Sequence, residues 1–430
     1  MAEHKVLTVA AYGMTVASVA RDSRGQLVWT YDTDFSDHPL SFPASLSLPL
    51  TSRMHRGDTV ANFLDSLLPD HQGTRARWAQ DARVEPSNIV GLLAHFGRDV
   101  AGALEFSDPA RPSEGSAHMR EMREADIEAR IIALHSDDWW GLDTTAPHGR
   151  FSLPGAQGKL SLLRRDGRWW ETQGAVASSH IFKHGVPRYQ DSHVVEHVSM
   201  RVAALLGVPT AHTELATFGN QQAIVIERFD RVTDTSGTLV RLHQEDLNQA
   251  TGTPGWRKYE DKGGLSYRHV LNTLDRLPDI EDSRQAMSQF ARGLAMSWLL
   301  LDTDAHARNY SVQITPGGAV TLAPRYDVSS FLPYVSSSDS HFRGIKLAMQ
   351  IVGDFDAVSM DHTAWRTVAR DAKLDPDDFI EWITAAAAAL SATTALVVDS
   401  LEPAYVGEVS SLLLERAELW QQECLRLLEA

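Results

Sequence analysis

The sequence, 430 residues long, predicts an α+β protein with a β-rich part followed by a helical part. Three observations predict this. Short apolar runs alternate with period two as far as Glu227, and helical spacing dominates beyond about residue 236. Across 302–323 a polar loop and a tight hairpin interrupt the helical part. The chain accordingly divides into 1–110, 111–235 and 236–430.

Residues 1–110 read as a small α/β unit. Strands are predicted at 6–11 and 14–20 around Gly13, and at 26–31 after the turn residues 23–25. Helical patterns follow at 59–68 and 87–96, and the stretch 107–116, rich in Pro, Ser and Gly, reads as a boundary loop. In 111–235, strands 159–164 and 168–172 flank Asp166-Gly167, a strong hairpin signal. Residues 179–183 and 222–227 are further strands. Between them, 194–206 is a helix with Val195, Val198, Val202 and Leu206 on one face, closed by Gly207 and Pro209. In 236–430, Met287, Phe290, Ala291, Leu294, Trp298 and Leu301 mark one face of a buried helix. The polar loop 302–309 comes next, then a hairpin of 310–314 and 320–323 around Pro316-Gly317-Gly318, then helices including 375–390 and 406–428. A β-rich lobe joined to a helical lobe, with a polar loop and hairpin near the junction, is the plan of a protein-kinase-like two-lobed fold.

Bulk composition narrows the classes. Apolar residues make up 43% and charged residues 22%, ordinary for a soluble globular chain. No apolar run reaches the roughly 18 residues of a membrane span, and residues 1–9 lack the apolar stretch of a secretory signal. A cytoplasmic protein with no membrane association is expected. The single cysteine, Cys424, excludes an internal disulfide and a cysteine-based zinc site, and reads as a packing residue in a C-terminal helix. A formal charge of -16 repels nucleic-acid phosphates, so any DNA contact is expected to come mainly through a basic partner.

Phosphoryl transfer needs positioning and charge neutralisation: donors for phosphates, oxygen ligands for a metal, and a base for the attacking hydroxyl. Asp304-Ala-His-Ala-Arg-Asn309 has an Asp followed five residues later by Asn, the spacing of a kinase catalytic loop. Asp304 is placed to accept the substrate proton and Asn309 to offer its amide oxygen to magnesium. Alone, the pair also fits ordinary turn roles. Asp327 follows the hairpin, which folds the chain back towards Asn309, and is the second metal candidate; elsewhere such an Asp is more often a cap. Lys183 ends an apolar strand and Glu196 lies on the next helix, the order of the kinase lysine and its glutamate. Ser152-Leu-Pro-Gly155-Ala156-Gln157-Gly158-Lys159 opens into a strand, where backbone amides can approach phosphates; it also fits a plain tight turn. Residues 226–230 end the last strand of the β-rich lobe and offer backbone groups at Glu227 and Phe229 to an adenine edge.

These segments together resemble the HipA family of serine/threonine kinase toxins along nearly the whole chain. Residues 152–159 resemble its Ser-x-x-Gly-Ala-Gln-x-Lys loop, and 226–231 (I-E-R-F-D-R) its hinge. Residues 241–249 (R-L-H-Q-E-D-L-N-Q) with Lys258-Tyr259-Glu260 are similar to its Q-E-D and K-Y-E block, and 303–309 (T-D-A-H-A-R-N) to its catalytic loop. Tyr12-Gly13, 46–49 and 99–104 resemble its N-terminal subdomain. The resemblance implies ATP and Mg2+ as cofactors, Asp304 as base, and Asn309 and Asp327 on metal. Nucleotide contacts are expected from Ser152, Gly155, Ala156, Gln157, Lys159, Lys183, Glu227, Phe229, His306 and Arg308. It also implies autophosphorylation of Ser152 that silences the enzyme. A helix-turn-helix antitoxin that carries the complex to operator DNA is implied too, as is a protein substrate such as an aminoacyl-tRNA synthetase. Three positions depart from the family pattern: Ala305 for Gly, Arg308 for Lys and Gly158 for Glu.

Three other readings compete. A kinase-shaped corepressor without catalysis would be expected to lack a metal ligand or base, yet Asp304, Asn309, Asp327 and Lys183 are all present. His193-Val-Val-Glu196-His197 matches a short zinc-peptidase pattern, but eighteen histidines make chance matches common and no third ligand stands out. A small-molecule kinase with the same lobes is the third, and the resemblance at 1–110 and 152–159 argues against it.

Overall fold

Tyr12 and Gly13 both adopt positive φ, 52° and 78°, the backbone a two-residue hairpin turn requires. They join β1 (Leu7–Ala11) to β2 (Met14–Arg21). With β3 (Leu27–Tyr31), β4 (Met54–Arg56) and β5 (Glu105–Ser107) they form an antiparallel sheet in the order β4-β3-β2-β1-β5. Alternate residues Leu7, Val9, Ala11, Leu27, Trp29 and Tyr31 are buried, and helices Asp58–Asp65 and Ile89–Phe96 add Phe63, Leu64, Leu92 and Phe96 to the core. The computed structural model describes residues 6–110, 118–134, 157–174, 176–336 and 342–429.

A second sheet holds β6 (His118–Met122), β7 (Lys159–Arg165), β8 (Arg168–Gln173), β9 (His180–Lys183), β10 (Thr213–Phe218) and β11 (Gln221–Glu227), in the order β10-β11-β9-β7-β8-β6. Asp166-Gly167 turns the β7–β8 hairpin as the sequence predicts, with both residues at positive φ. Helix Glu124–Leu134 covers this sheet: Ile127 and Ile131 pack with Leu160, Leu162, Phe182 and Val225. Nothing in the sequence reading picked out that helix, nor helix Gln72–Ala82, whose buried face is only Thr74, Trp78 and Ala79.

The chain clusters into two compact units. The first holds 1–184, 216–256 and 312–319; the second holds 185–215, 257–311 and 320–430. Helix Ser192–Leu205 therefore belongs to the second unit. There the twenty-residue helix Ile280–Leu299 buries the expected face, including Met287, Phe290, Leu294 and Trp298. Trp298, Trp365 and Trp420 are fully enclosed, and the Trp298 indole donates to the Ala357 carbonyl at 2.8 Å. Cys424 is buried in helix Glu408–Glu429, as a packing residue should be. Helix Pro376–Asp399 is, by length and composition alone, apolar enough to cross a membrane, although no unbroken apolar run within it reaches that length. Its alanines and valines raise the hydropathy, and its stripe Phe379, Ile383, Ala387, Leu390, Thr394 and Val398 is buried at helical spacing against helices Ser192–Leu205, His362–Asp371 and Glu408–Glu429.

Within the first unit the I-E-R-F-D-R run forms a charge cluster closed to solvent. Arg228 holds Asp230 at 2.8 Å and lies 3.5 Å from Asp99; Arg231 holds Asp99 at 2.8 Å and Asp230 at 2.9 Å. Arg228 and Arg231 also donate to the Val100 carbonyl, Asp99 accepts from the Ser178 amide and hydroxyl, and Asp230 accepts from the Gly102 amide. Four charges, two of each sign, pair with one another and with the backbone around them, leaving only the Arg231 Nε among their described guanidinium and carboxylate atoms without a hydrogen-bond partner.

Next to this cluster, on the strand His243–Asp246, Glu245 is wholly buried, and its Oε1 accepts the Leu46 amide at 2.7 Å while Oε2 has no donor. Burial pushes its carboxyl up from 4.5 to about 8, against the Leu46 hydrogen bond. The acid form is thus favoured by the fold, and stability is lost as pH rises from about 4.5 to about 8. Glu245→Gln is expected to be more stable than the parent above pH 8 by roughly 1–4 kcal/mol, with the gap closing towards pH 5. Urea unfolding at pH 5 and pH 9 checks it; equal gaps at both would refute it.

Candidate active site

The second unit carries the polar loop. Leu301 at φ 50° turns the chain out of the core helix into Asp302, and Ala307–Asn309 closes the loop as a 3-10 turn. Asp304 is exposed, whereas Ala305, His306, Arg308 and Asn309 are buried. The Asn309 amide nitrogen donates to the Asp304 carbonyl at 2.9 Å, and the His306 amide donates to the same oxygen at 2.7 Å. Fixing the nitrogen of the Asn309 carboxamide directs its oxygen to the opposite side.

Asp327 returns to this loop. The Tyr326 hydroxyl donates to the Arg308 carbonyl at 2.8 Å and lies 2.6 Å from the Ser311 hydroxyl. Asp327 itself sits at φ 58°, a left-handed backbone that non-glycine residues adopt under local constraint. Asp304 and Asp327 act on the same neighbours. The Tyr259 hydroxyl donates to Asp304 Oδ1 at 2.5 Å, and burial followed by the charges of Asp304, Asp261 and Asp327 holds that phenol well above its ordinary range. Burial pushes Asp302 up to about 8; Arg325 opposes this at 3.7 Å, and Asp304 and Asp327 add to it. Burial lowers His306 to about 4, with Lys258 and Arg308 acting in the same sense and the two aspartates against it. The sequence reading missed Asp302, Tyr259 and Arg325. Asp302 was legible only as a polar loop residue, and Tyr259 only as part of the K-Y-E block.

Asp304 and Asp327 both act on Asp302, whose buried Oδ2 lacks a hydrogen-bond donor, and the three together make a region suited to a cation. Among the described residues no group of three or more His, Cys, Asp and Glu side chains stands ready to hold a metal. Asn309 and Asp327 carry the side-chain oxygens that could hold a magnesium ion, which would supply positive charge beside a phosphate. The zinc reading finds no cluster either: His197 Nδ1 shares a hydrogen bond with the Thr213 hydroxyl at 2.8 Å, and burial lowers that histidine to about 4.

The first unit carries the nucleotide candidates. Lys159 on β7 and Lys183 on β9 are directly opposed across the sheet, both buried. The Gln157 amide donates to the His184 carbonyl at 2.8 Å. Cross-strand partners in this register project from the same face of the sheet, so both lysine side chains leave one face. Glu227 is exposed at the end of β11, opposite His180, and the Phe229 carbonyl accepts the Gln313 amide at 3.2 Å. Ser152, Gly155 and Ala156 lie outside the described residues. Lys183 and Glu196 belong to different units.

The β-rich and helical parts and the loop with its returning aspartate define a kinase-like, two-lobed α+β protein. Comparisons extend this. Residues 7–107 match the HipA N-terminal domain and residues 151–394 the HipA-like C-terminal domain, so the chain belongs to the HipA family. A Sinorhizobium fredii protein named as a kinase, Y4mE, is 30% identical over 379 residues, covering 86% of each chain. The serine/threonine-protein kinase toxin HipA of Shewanella oneidensis is 27% identical over 331 residues, covering 74% of this chain and 72% of that one. In a solved complex of Shewanella oneidensis HipA, HipB and operator DNA, the matching chain superposes with a TM-score of 0.79 at 24% identity over 96% of both chains.

Proposed function

We propose that the protein is a toxin kinase that transfers the ATP γ-phosphate to a serine or threonine of a protein substrate. The observation that supports this is the Asp304–Asn309 loop, with an exposed carboxylate at one end and a carboxamide held by the Asp304 carbonyl at the other, and with Tyr326, next to Asp327, donating to the Arg308 carbonyl. Asp304 takes the proton of the attacking hydroxyl. Asn309 and Asp327 hold magnesium, which when bound neutralises phosphate charge. Lys159 and Lys183 meet phosphate oxygens, and Gln157, His306 and Arg308 support the nucleotide or the loop. The backbone at Glu227 and Phe229 serves the adenine edge.

By family, the substrate class includes aminoacyl-tRNA synthetases, Ser152 is the self-inactivating phosphosite, and a helix-turn-helix antitoxin neutralises the enzyme and joins it to operator DNA. The relative solved with HipB and DNA supports the partner assignment. The test is transfer from γ-labelled ATP and magnesium into the proteins of a cell extract. Wild type is expected to label one or a few proteins, and Asp327→Asn to lose at least about a hundredfold of the rate, as loss of a metal ligand removes electrostatic stabilisation. No labelling by wild type, or equal labelling by Asp327→Asn, rejects the reading.

A further inference from the structure

The turn 257–264 is fixed more tightly than a surface loop requires. The Glu260 carboxylate accepts the Gln350 amide at 2.7 Å, tying the turn to strand Lys346–Ile351. The Gly264 amide donates to the Tyr259 carbonyl at 2.8 Å, and a Cβ at Gly264 would stand 2.6 Å from that oxygen and 2.7 Å from the Arg257 carbonyl. Only glycine lets the turn close this far. The Tyr259 ring meets His306 edge-on at 5.2 Å, and the Lys258 and Lys262 ammonium groups lie 5.0 and 5.1 Å from its centre. All of this aims one hydroxyl at Asp304 Oδ1.

An exposed aspartate rotates freely about its last torsion unless something holds it. Among the described residues, Tyr259 alone donates a hydrogen bond to the Asp304 carboxylate. We propose that Tyr259 is a positioning residue for phosphoryl transfer, its hydroxyl anchoring Asp304 by Oδ1 so that Oδ2 faces the incoming substrate hydroxyl. This rests on the assignment of Asp304 as the base. Burial and the neighbouring aspartates keep the phenol protonated, and so a donor, at neutral pH. The ring's cationic flanks and its contact with His306 keep it in place when the hydroxyl is removed.

Tyr259→Phe, Asp304→Asn and the double variant are compared with wild type in steady-state transfer from ATP to the labelled substrate protein. Tyr259→Phe is expected to lower kcat on the order of ten- to a hundredfold, the size of a misplaced catalytic group, with KM for ATP within about twofold of wild type. Because the tyrosine acts through the aspartate, the double variant is expected to be no slower than Asp304→Asn alone. An unchanged or raised kcat in Tyr259→Phe overturns the proposal, the raised value marking the hydroxyl as a plug in the acceptor's place. Additive losses overturn it as well. If instead Asp304→Asn matches wild type, the base assignment itself fails, and this proposal falls with it.

Discussion

Asp304→Asn is expected to lower phosphoryl transfer by roughly 10²–10⁴-fold while leaving nucleotide affinity and folding intact. The substitution keeps the size of the side chain, and its amide oxygen can still accept the Tyr259 hydroxyl that Asp304 Oδ1 accepts at 2.5 Å. What it removes is the second basic oxygen, the acceptor of the substrate proton. The backbone contacts that organise the loop do not change, since Asn309 and His306 donate to the residue 304 carbonyl rather than to its side chain. The loss should therefore fall on kcat, with KM for ATP nearly constant. Single-turnover rates with saturating ATP, alongside nucleotide binding by calorimetry, separate the two. A fall of less than about threefold, or a loss explained by weaker nucleotide binding, would remove Asp304 from its role.

The parts of this site differ in how far the sequence discloses them, and the difference is one of distance along the chain. Asp304 and Asn309 lie within a single turn, so their spacing alone predicts that one backbone bend presents both. Asp327 is legible because a Pro-Gly-Gly hairpin is a local signal that the chain reverses. Tyr259 is joined to Asp304 only by tertiary packing across 45 positions, and no periodicity marks it. Charge in the sequence misleads in another way. Arg228, Asp230 and Arg231 are of types that are usually solvated, yet they are wholly enclosed with Asp99. The strands and the long helix Ile280–Leu299 were legible because their apolar periodicity is strong. Helix Gln72–Ala82 was not, because a buried face of Thr74, Trp78 and Ala79 leaves almost none.

That enclosed cluster gives a large expected stability effect. Asp99→Ala should destabilise the protein by about 3–5 kcal/mol, the usual consequence of removing one partner from a buried charge pair. The Asp99 carboxylate accepts from Arg231 at 2.8 Å and from the Ser178 hydroxyl and amide at 2.6 and 3.0 Å, and lies 3.5 Å from Arg228. Without it, two guanidinium groups share Asp230, and the Ser178 donors face no acceptor. Burial alone would raise the Asp99 carboxyl, but the charges of Arg228, Arg231 and Arg241 and the Ser178 hydroxyl outweigh it and hold the group far below the usual carboxylate range. The sign follows. An acid whose value is depressed by folding contributes stability above its unfolded value of 3.8, and loses it as pH falls towards the folded value. The gap between Asp99→Ala and wild type should accordingly be full at pH 7 and begin to shrink only below about pH 4. Chemical denaturation at pH 7 and at pH 3 measures both limits. Because Asp99 precedes the Val100 and Gly102 carbonyls that Arg228 and Arg231 hold, the same substitution should loosen that backbone first, seen as faster amide exchange at 99–104 than in the sheet β4-β3-β2-β1-β5. A gap below about 1 kcal/mol at pH 7 would mean that the arginines find water or Asp230 sufficient, and that the cluster contributes shape rather than stability.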